Sequence, residues 1–148
     1  AGLTGDAALD YLAAHRYDLA DQLAAAHLRG AAPDSLSTLL AQTLPYHASV
    51  AADRGLKLVM YEGGSHVVAF GGQPDAEITA FFTHFNYTAE MAALYADLLA
   101  GWQGLTDQPF TATADVARPG VWGSWGALRH LGDDNPRWQV LAKGCLKC

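Results

Sequence analysis

The sequence predicts an α/β fold that contains two short parallel strands and several helices. Two short segments, Leu56–Tyr61 and Phe110–Ala114, are rich in β-favouring residues. Between them, Ala89–Trp102 has the apolar stripe of an amphipathic helix. A strand, a helix and a strand in this order are typical of a βαβ unit, whose right-handed crossover makes the strands parallel neighbours. No internal repeat is visible, so residues 1–148 are treated as one domain.

Composition and charge exclude several classes of protein. The chain has 148 residues, of which 51% are hydrophobic and 16% are charged, which is typical of a globular domain. A net charge of −6 without a basic cluster argues against a nucleic-acid partner. No apolar run is long enough for a membrane span, so no membrane partner is expected. No signal peptide is recognisable, and because the chain starts at Ala1 we expect an upstream part to be missing.

The first part of the chain is predicted to be helical. A helix is expected from Asp6 to about Arg29, ended by Gly30. His15 and His27 lie on this helix without further ligands nearby, so we interpret them as surface and boundary residues. The residues that recur near a 3.6-residue period are Leu9, Leu12, Leu19, Leu23 and Ala26.

A second helix is predicted from Ser35, which can cap its N-terminus, to Arg54. Its apolar stripe continues through Pro45, which favours one kinked helix, although two helices that meet at Pro45 remain an alternative. Gly55 is expected to end it.

Glu62 is the first residue with a predicted functional role. The strand Leu56–Tyr61 is expected to be buried, and Glu62 follows where the strand ends. The carboxyl ends of parallel strands carry the chemistry in α/β folds. Gly63 and Gly64 then allow positive φ angles and a close approach of other groups. The alternative is a solvated carboxylate at a turn.

The segment after Glu62 is predicted to be a long loop, from residue 65 to residue 74, followed by helices. A short helix, Asp75–Phe85, carries three phenylalanines that we interpret as core residues. The helix Ala89–Trp102 has the clearest stripe in the chain, and Gly104 is expected to end it. A last short helix is predicted to start in Asp133-Asp134-Asn135-Pro136 and to bear Trp138 and Leu141.

Trp122 and Trp125 follow the second predicted strand, and a glycine comes after each of them. Small neighbours leave an indole face open, which suits stacking on a sugar ring or another apolar ligand. The alternative is a pair of core tryptophans beneath a loop.

Cys145 and Cys148 form a C-x-x-C pair at the end of the chain. Such a pair can be a redox motif, half a zinc site or a local disulfide. Further zinc ligands and a strand-to-helix context are missing, so we interpret both cysteines as structural or incidental. No phosphate-binding glycine motif and no nucleophile elbow are present, which makes Ser65 and Ser124 poor nucleophile candidates.

Two motifs together carry a family resemblance: Tyr61-Glu62-Gly63-Gly64, and Trp122-Gly123-Ser124-Trp125-Gly126. The chain resembles the C-terminal part of TIM-barrel glycoside hydrolase-like proteins of the clan A type, and the resemblance covers about Ser35 to Lys143. It implies a partial (β/α) barrel-like unit that belongs to a larger (β/α)₈ barrel. The helical residues 1–34 would precede the unit, and residues 144–148 would form a tail.

The resemblance also implies a function and its residues. Glu62 would be the nucleophile of a retaining glycosidase, and Tyr61 or His66 would orient it or bind sugar hydroxyls. Trp122 and Trp125 would stack on the sugar. It further implies no cofactor, no metal, and a secreted bacterial protein in an extracellular or periplasmic location.

The chain is short for such an enzyme. A complete barrel takes about 250 residues, and retaining hydrolysis needs two carboxyl groups. The second one would lie upstream, so we expect this chain alone to be inactive. Its expected partners are carbohydrate and the missing part of the barrel, or a second copy. The alternatives are a non-catalytic carbohydrate-binding module and a structural fragment.

Overall fold

The structure is a computed structural model that describes residues 5–69 and 75–144. Within these residues the fold is mixed α/β, with two short parallel strands among helices, which confirms the predicted class at that level. Two π-helical turns are present, His27–Ala31 after the second helix and Leu39–Thr43 between the third and fourth. The elements in order are α1 Asp6–Ala14, α2 Asp18–Ala26, α3 Leu36–Thr38, α4 Leu44–Ala52, β1 Met60–Gly63, α5 Ala76–Phe85, α6 Ala89–Leu105, β2 Phe110–Ala112 and α7 Pro136–Gly144.

The prediction of one N-terminal helix is wrong in two respects. The helix is broken between α1 and α2, and Gly30 lies inside the π-helical turn rather than ending it. Its leucine stripe faces outward, because α2 packs on α6 and buries Asp21 and Ala25 instead. The exposed residues are Leu9 (66%), Leu12 (64%), Leu19 (69%) and Leu23 (62%).

The second helix does continue through Pro45, as its stripe predicts. The Leu44 N–H donates to the Leu39 carbonyl, five residues back, so the helix widens just before the proline. A π turn of this kind accommodates a residue that lacks an N–H and crowds the preceding turn. The ends are as predicted: the Thr38 N–H donates to Ser35 Oγ at 3.4 Å, and Gly55 has φ +65° after the last turn.

The core is built around α6, which packs against α7, α2 and α4. The predicted stripe is confirmed, because Met91, Leu94, Tyr95 and Trp102 are all buried. The helix continues past Gly104 to Leu105. Phe85, at the end of α5, is fully buried, and Phe81 packs against the same cluster, so the interpretation as core is confirmed for these two, while Phe82 is half-buried.

Strands β1 and β2 are parallel neighbours, with Met60 paired to Phe110 and Gly63 to Ala112. The prediction of a buried strand over 56–61 is wrong, because β1 begins only at Met60. Leu56 and Val59 are 64% and 56% exposed. The physical reason is that β1 has a single strand neighbour among the described residues. The handedness of the crossover stays a prediction.

The second strand is also shorter than predicted, since it ends at Ala112. The chain stays extended and pairs with a third segment: Val116 forms a parallel bridge with Leu128. The predicted tail with Cys145 and Cys148, and part of the predicted loop at 70–74, lie outside the described residues. In the part of the chain that is described, no helix is long and apolar enough to cross a membrane.

Candidate functional site

Glu62 lies within β1, one position before its last residue, rather than after the strand as predicted, and Tyr61 lies in the strand as predicted. Both side chains are exposed, and Tyr61 is 79% exposed. Neither a hydrogen bond nor an ion pair joins the Glu62 carboxylate to another described residue. The carboxylate is therefore accessible to a ligand, and packing does not hold it in place.

Packing within the protein requires glycine at positions 63 and 64, independently of any ligand. A Cβ on Gly63 would collide with the Phe110 ring, and a Cβ on Gly64 would lie 2.7 Å from the Tyr95 hydroxyl. Gly64 has φ +143°, a conformation that side chains disfavour. The close approach expected at these glycines is thus made by the core side chains Phe110 and Tyr95.

Trp122 occupies the tip of a tight turn. Gly120 and Gly123 exchange two backbone hydrogen bonds of 3.0 and 3.1 Å, which leaves Val121 and Trp122 as the two central residues. The Trp122 side chain is 78% exposed. The interpretation of Trp122 as a core residue is therefore wrong, and its indole is open to a ligand.

Trp125 is more covered than Trp122. Its ring centroid lies 4.4 Å from that of His66, with an interplanar angle of 37°. A Cβ on Gly123 would lie 3.0 Å from the indole, so this glycine lets the ring lie close to the backbone. Trp125 keeps 36% exposure. The structure thus brings together two of the predicted site residues, His66 and Trp125.

Backbone pairing places β1 and the Trp125 segment on opposite sides of the segment that continues β2. The Thr113 N–H donates to the Gly63 carbonyl at 3.0 Å, and the Ala114 N–H donates to the Trp125 carbonyl at 2.8 Å. Adjacent strands are about 4.8 Å apart, so the Gly63 and Trp125 backbones are separated by roughly 10 Å, two strand spacings. A ligand the size of a sugar can span this distance. We call Trp122, Trp125 and His66 the aromatic surface; Glu62 directly precedes Gly63 in β1.

Comparison with known proteins adds no relative to this picture. No protein-family model matches the chain, and neither the curated proteins nor the solved structures contain a match.

A concave region lies along the C-terminal half of α5. It is a cleft of about 620 Å³ lined in part by His84, Tyr87 and Arg129. The buried Asp21 accepts a hydrogen bond from His84 Nε2 at 2.8 Å, which orients the imidazole at the cleft wall. The sequence offers no signal for this pair, because its members are 63 residues apart and belong to no motif.

Arg129 at the same cleft is bound to Asp133. The Arg129 Nε and backbone N–H groups each lie 2.8 Å from Asp133 Oδ2. These bonds hold the pKa of Asp133 far below the usual range of a carboxyl group. The positive charge of Arg129 is therefore largely compensated within the protein.

The described residues contain no cluster of three or more histidine, cysteine, aspartate or glutamate side chains that could hold a metal ion.

Proposed function

We propose that the aromatic surface binds carbohydrate. The observation that carries this proposal is Trp122, an indole that is 78% exposed at the tip of a two-residue turn. An indole in this position exposes apolar surface to water and does not contribute to the core. Its open face suits the flat stacking of a sugar ring. Trp125 and His66 add two aromatic rings in contact with each other, and Tyr61 in β1 has an exposed phenol.

We extend the proposal to Glu62 as the nucleophile of a retaining glycosidase. The backbone of a residue in a paired strand has little conformational freedom, so the Glu62 carboxylate starts from a fixed position, which suits attack at an anomeric carbon. The reaction needs a second carboxyl group about 5–5.5 Å away. In this proposal the preceding strands of a (β/α)₈ barrel supply it, so the 148-residue chain binds sugar without hydrolysing it.

The binding step is tested by calorimetric titration of a panel of oligosaccharides into the wild type and Trp122→Ala. Because one aromatic contact contributes about 0.5–1.5 kcal/mol, we expect Kd to rise about 2- to 12-fold. Leu131→Ala is the matched control, since Leu131 is 87% exposed outside the aromatic surface. Equal affinity of Trp122→Ala and the wild type, or no binding by the wild type, would contradict the proposal.

The catalytic step is tested with Glu62→Gln, which keeps the size of the side chain and removes its charge. In a complete barrel we expect turnover to be lost while the urea midpoint stays unchanged, because the exposed carboxylate makes no contact that supports the fold. In the 148-residue chain we expect only sugar affinity to change. Full hydrolysis by the Glu62→Gln barrel would end the assignment.

A structural role in a larger assembly is the second candidate function. It is favoured by the outward leucines of α1 and α2 and by the exposed Leu56 and Val59 before β1. Exposed apolar faces of this kind mark contact surfaces. If this role is correct, sedimentation should show concentration-dependent association that Leu19→Ser with Leu23→Ser reduces. A monomer at all concentrations would contradict it.

A further inference from the structure

We propose that Arg137 is a positioning residue that holds Trp125 against His66, an inference that rests on the proposed function of the aromatic surface. Arg137 lies on α7 and is only 1% exposed. Its guanidinium donates to the carbonyl of Ser124 at 3.0 Å and to the carbonyl of Gly126. These are the residues on either side of Trp125, so one planar group fixes the backbone on both sides of the indole.

The same guanidinium reaches the His66 side of the surface through Asn86. The Arg137 Nη1 atom lies 3.4 Å from Asn86 Oδ1, and the Ser65 hydroxyl donates to that same oxygen at 2.5 Å. Asn86 is 1% exposed. Ser65 also donates its backbone N–H to the Tyr95 hydroxyl at 2.9 Å. Since Ser65 directly precedes His66, the buried network joins the backbone of both aromatic partners.

Arg137 is a buried cation without an acidic partner among the described residues, which is unusual for a side chain that serves only to stabilise the fold. None of the ion pairs among the described residues includes Arg137, and its Nε is buried without a hydrogen-bond partner. The rings of Tyr87 and Tyr95 lie 4.5 and 5.7 Å from its Cζ and partly compensate the charge. Burial of an unpaired cation is unfavourable, and apolar side chains often serve stability better.

The fork geometry of arginine explains why the position holds this residue. A guanidinium can donate to two carbonyls and an amide oxygen in fixed directions, whereas a lysine ammonium is a compact charge on a flexible chain. The network therefore sets the geometry of the loop, and through it the distance between the indole and the imidazole.

The test uses a spectroscopic signal that needs no sugar. An imidazole against an indole quenches its fluorescence, so His66→Gln should raise the tryptophan emission at constant pH. In each protein variant, we call this rise in emission on replacement of His66 by Gln the quenching step. Trp125→Phe should abolish the quenching step, which assigns it to the pair. Equal emission of the wild type and His66→Gln would contradict the proposal.

Arg137→Met and Arg137→Lys test the positioning role. We expect both to unfold cooperatively in urea yet to lose at least half of the quenching step, with lysine failing to rescue it. A folded Arg137→Met with the full step would overturn the proposal. Ser65→Ala decides the matter if the arginine variants do not fold: it removes only the hydroxyl link, and we expect a reduced step, whereas an unchanged step would refute the network.

Sugar titrations on the same variants separate the two proposals. If the wild type binds no sugar but shows a quenching step that Arg137→Met loses, the proposed function fails while the positioning role of Arg137 stands. If the wild type binds sugar and Arg137→Met binds equally well with the full step, only the positioning role fails.

Discussion

Replacement of Gly126 by alanine should disrupt the segment that carries Trp125. A Cβ at this position would meet only backbone: the nitrogen and the oxygen of Ala117 and the carbonyl oxygen of Leu128. The Ala117 oxygen would be 2.5 Å away, whereas ordinary Cβ contacts begin at 3.4 Å. The two backbones must therefore separate by about 1 Å, because no flexible side chain can give way.

The magnitude follows from the hydrogen bonds that such a separation weakens. Four backbone bonds of 2.8–3.0 Å join residues 114–117 to residues 125–128. At about 1 kcal/mol each, their complete loss would cost about 4 kcal/mol, and overpacking alone costs about 1–3 kcal/mol. We expect Gly126→Ala to lower the free energy of unfolding by about 2–4 kcal/mol.

Urea unfolding followed by circular dichroism measures this change. With an m-value of about 2 kcal/mol per molar urea, the middle of the usual range, the midpoint should fall by about 1–2 M. Gly120→Ala is the matched control in the same loop, since nothing lies within 4 Å of a Cβ there. If Gly126→Ala unfolds within about 0.5 kcal/mol of the wild type, the close approach of the two segments is wrong.

Two further predictions concern stability. Asp133→Asn should cost about 1.5–3 kcal/mol at pH 7, because Asp133 accepts charge-assisted bonds from Arg129. The pKa of Asp133 is lowered in the folded state, so this stabilisation is complete above the ordinary carboxyl pKa of about 3.9 and is lost progressively as pH falls from there through the lowered folded-state pKa. The gap between the urea midpoints of the wild type and the variant should therefore be smaller at pH 3 than at pH 7, and an equal gap at both would contradict the ion pair. Thr88→Ala should cost about 1 kcal/mol, because Thr88 caps α6 by accepting from the Met91 N–H at 3.3 Å. Thr111→Ala, exposed on β2, is its control in the same urea assay, and equal midpoints for the two variants would argue against the cap.

The sequence predicts the fold best where a single helix face decides burial. The stripe of α6 is predicted correctly because nearly all of its apolar positions are buried. The same reasoning fails for α2, where the buried face carries Asp21. The buried Asp21 carboxylate is stabilised by a hydrogen bond from His84 of α5. Because the two residues are 63 positions apart, this contact produces no periodic pattern in the local sequence. Strand β1 is misjudged for a related reason, since burial depends on neighbours that an apolar run does not specify.

The candidate site is predictable in part. Exposed Trp122 follows from the glycines that form its turn, which are visible in the sequence. The contact between His66 and Trp125 is not visible, because it depends on the pairing of Ala114 with the Trp125 segment. Arg137 carries no sequence signal either. An arginine at the start of a short helix is usually solvated, and only the structure shows it buried.

The parallel pairing of β1 with β2 has a consequence for the order of folding. Met60 pairs with Phe110, so the pairing closes a loop of 50 residues, while the helices between them form by local contacts. Few strand hydrogen bonds compensate the entropy of this closure. We therefore expect the helices to form first, and the strand pairing that brings Trp125 and His66 together to form last. In a refolding experiment, the indole–imidazole contact should appear in a slower kinetic phase than the helical signal.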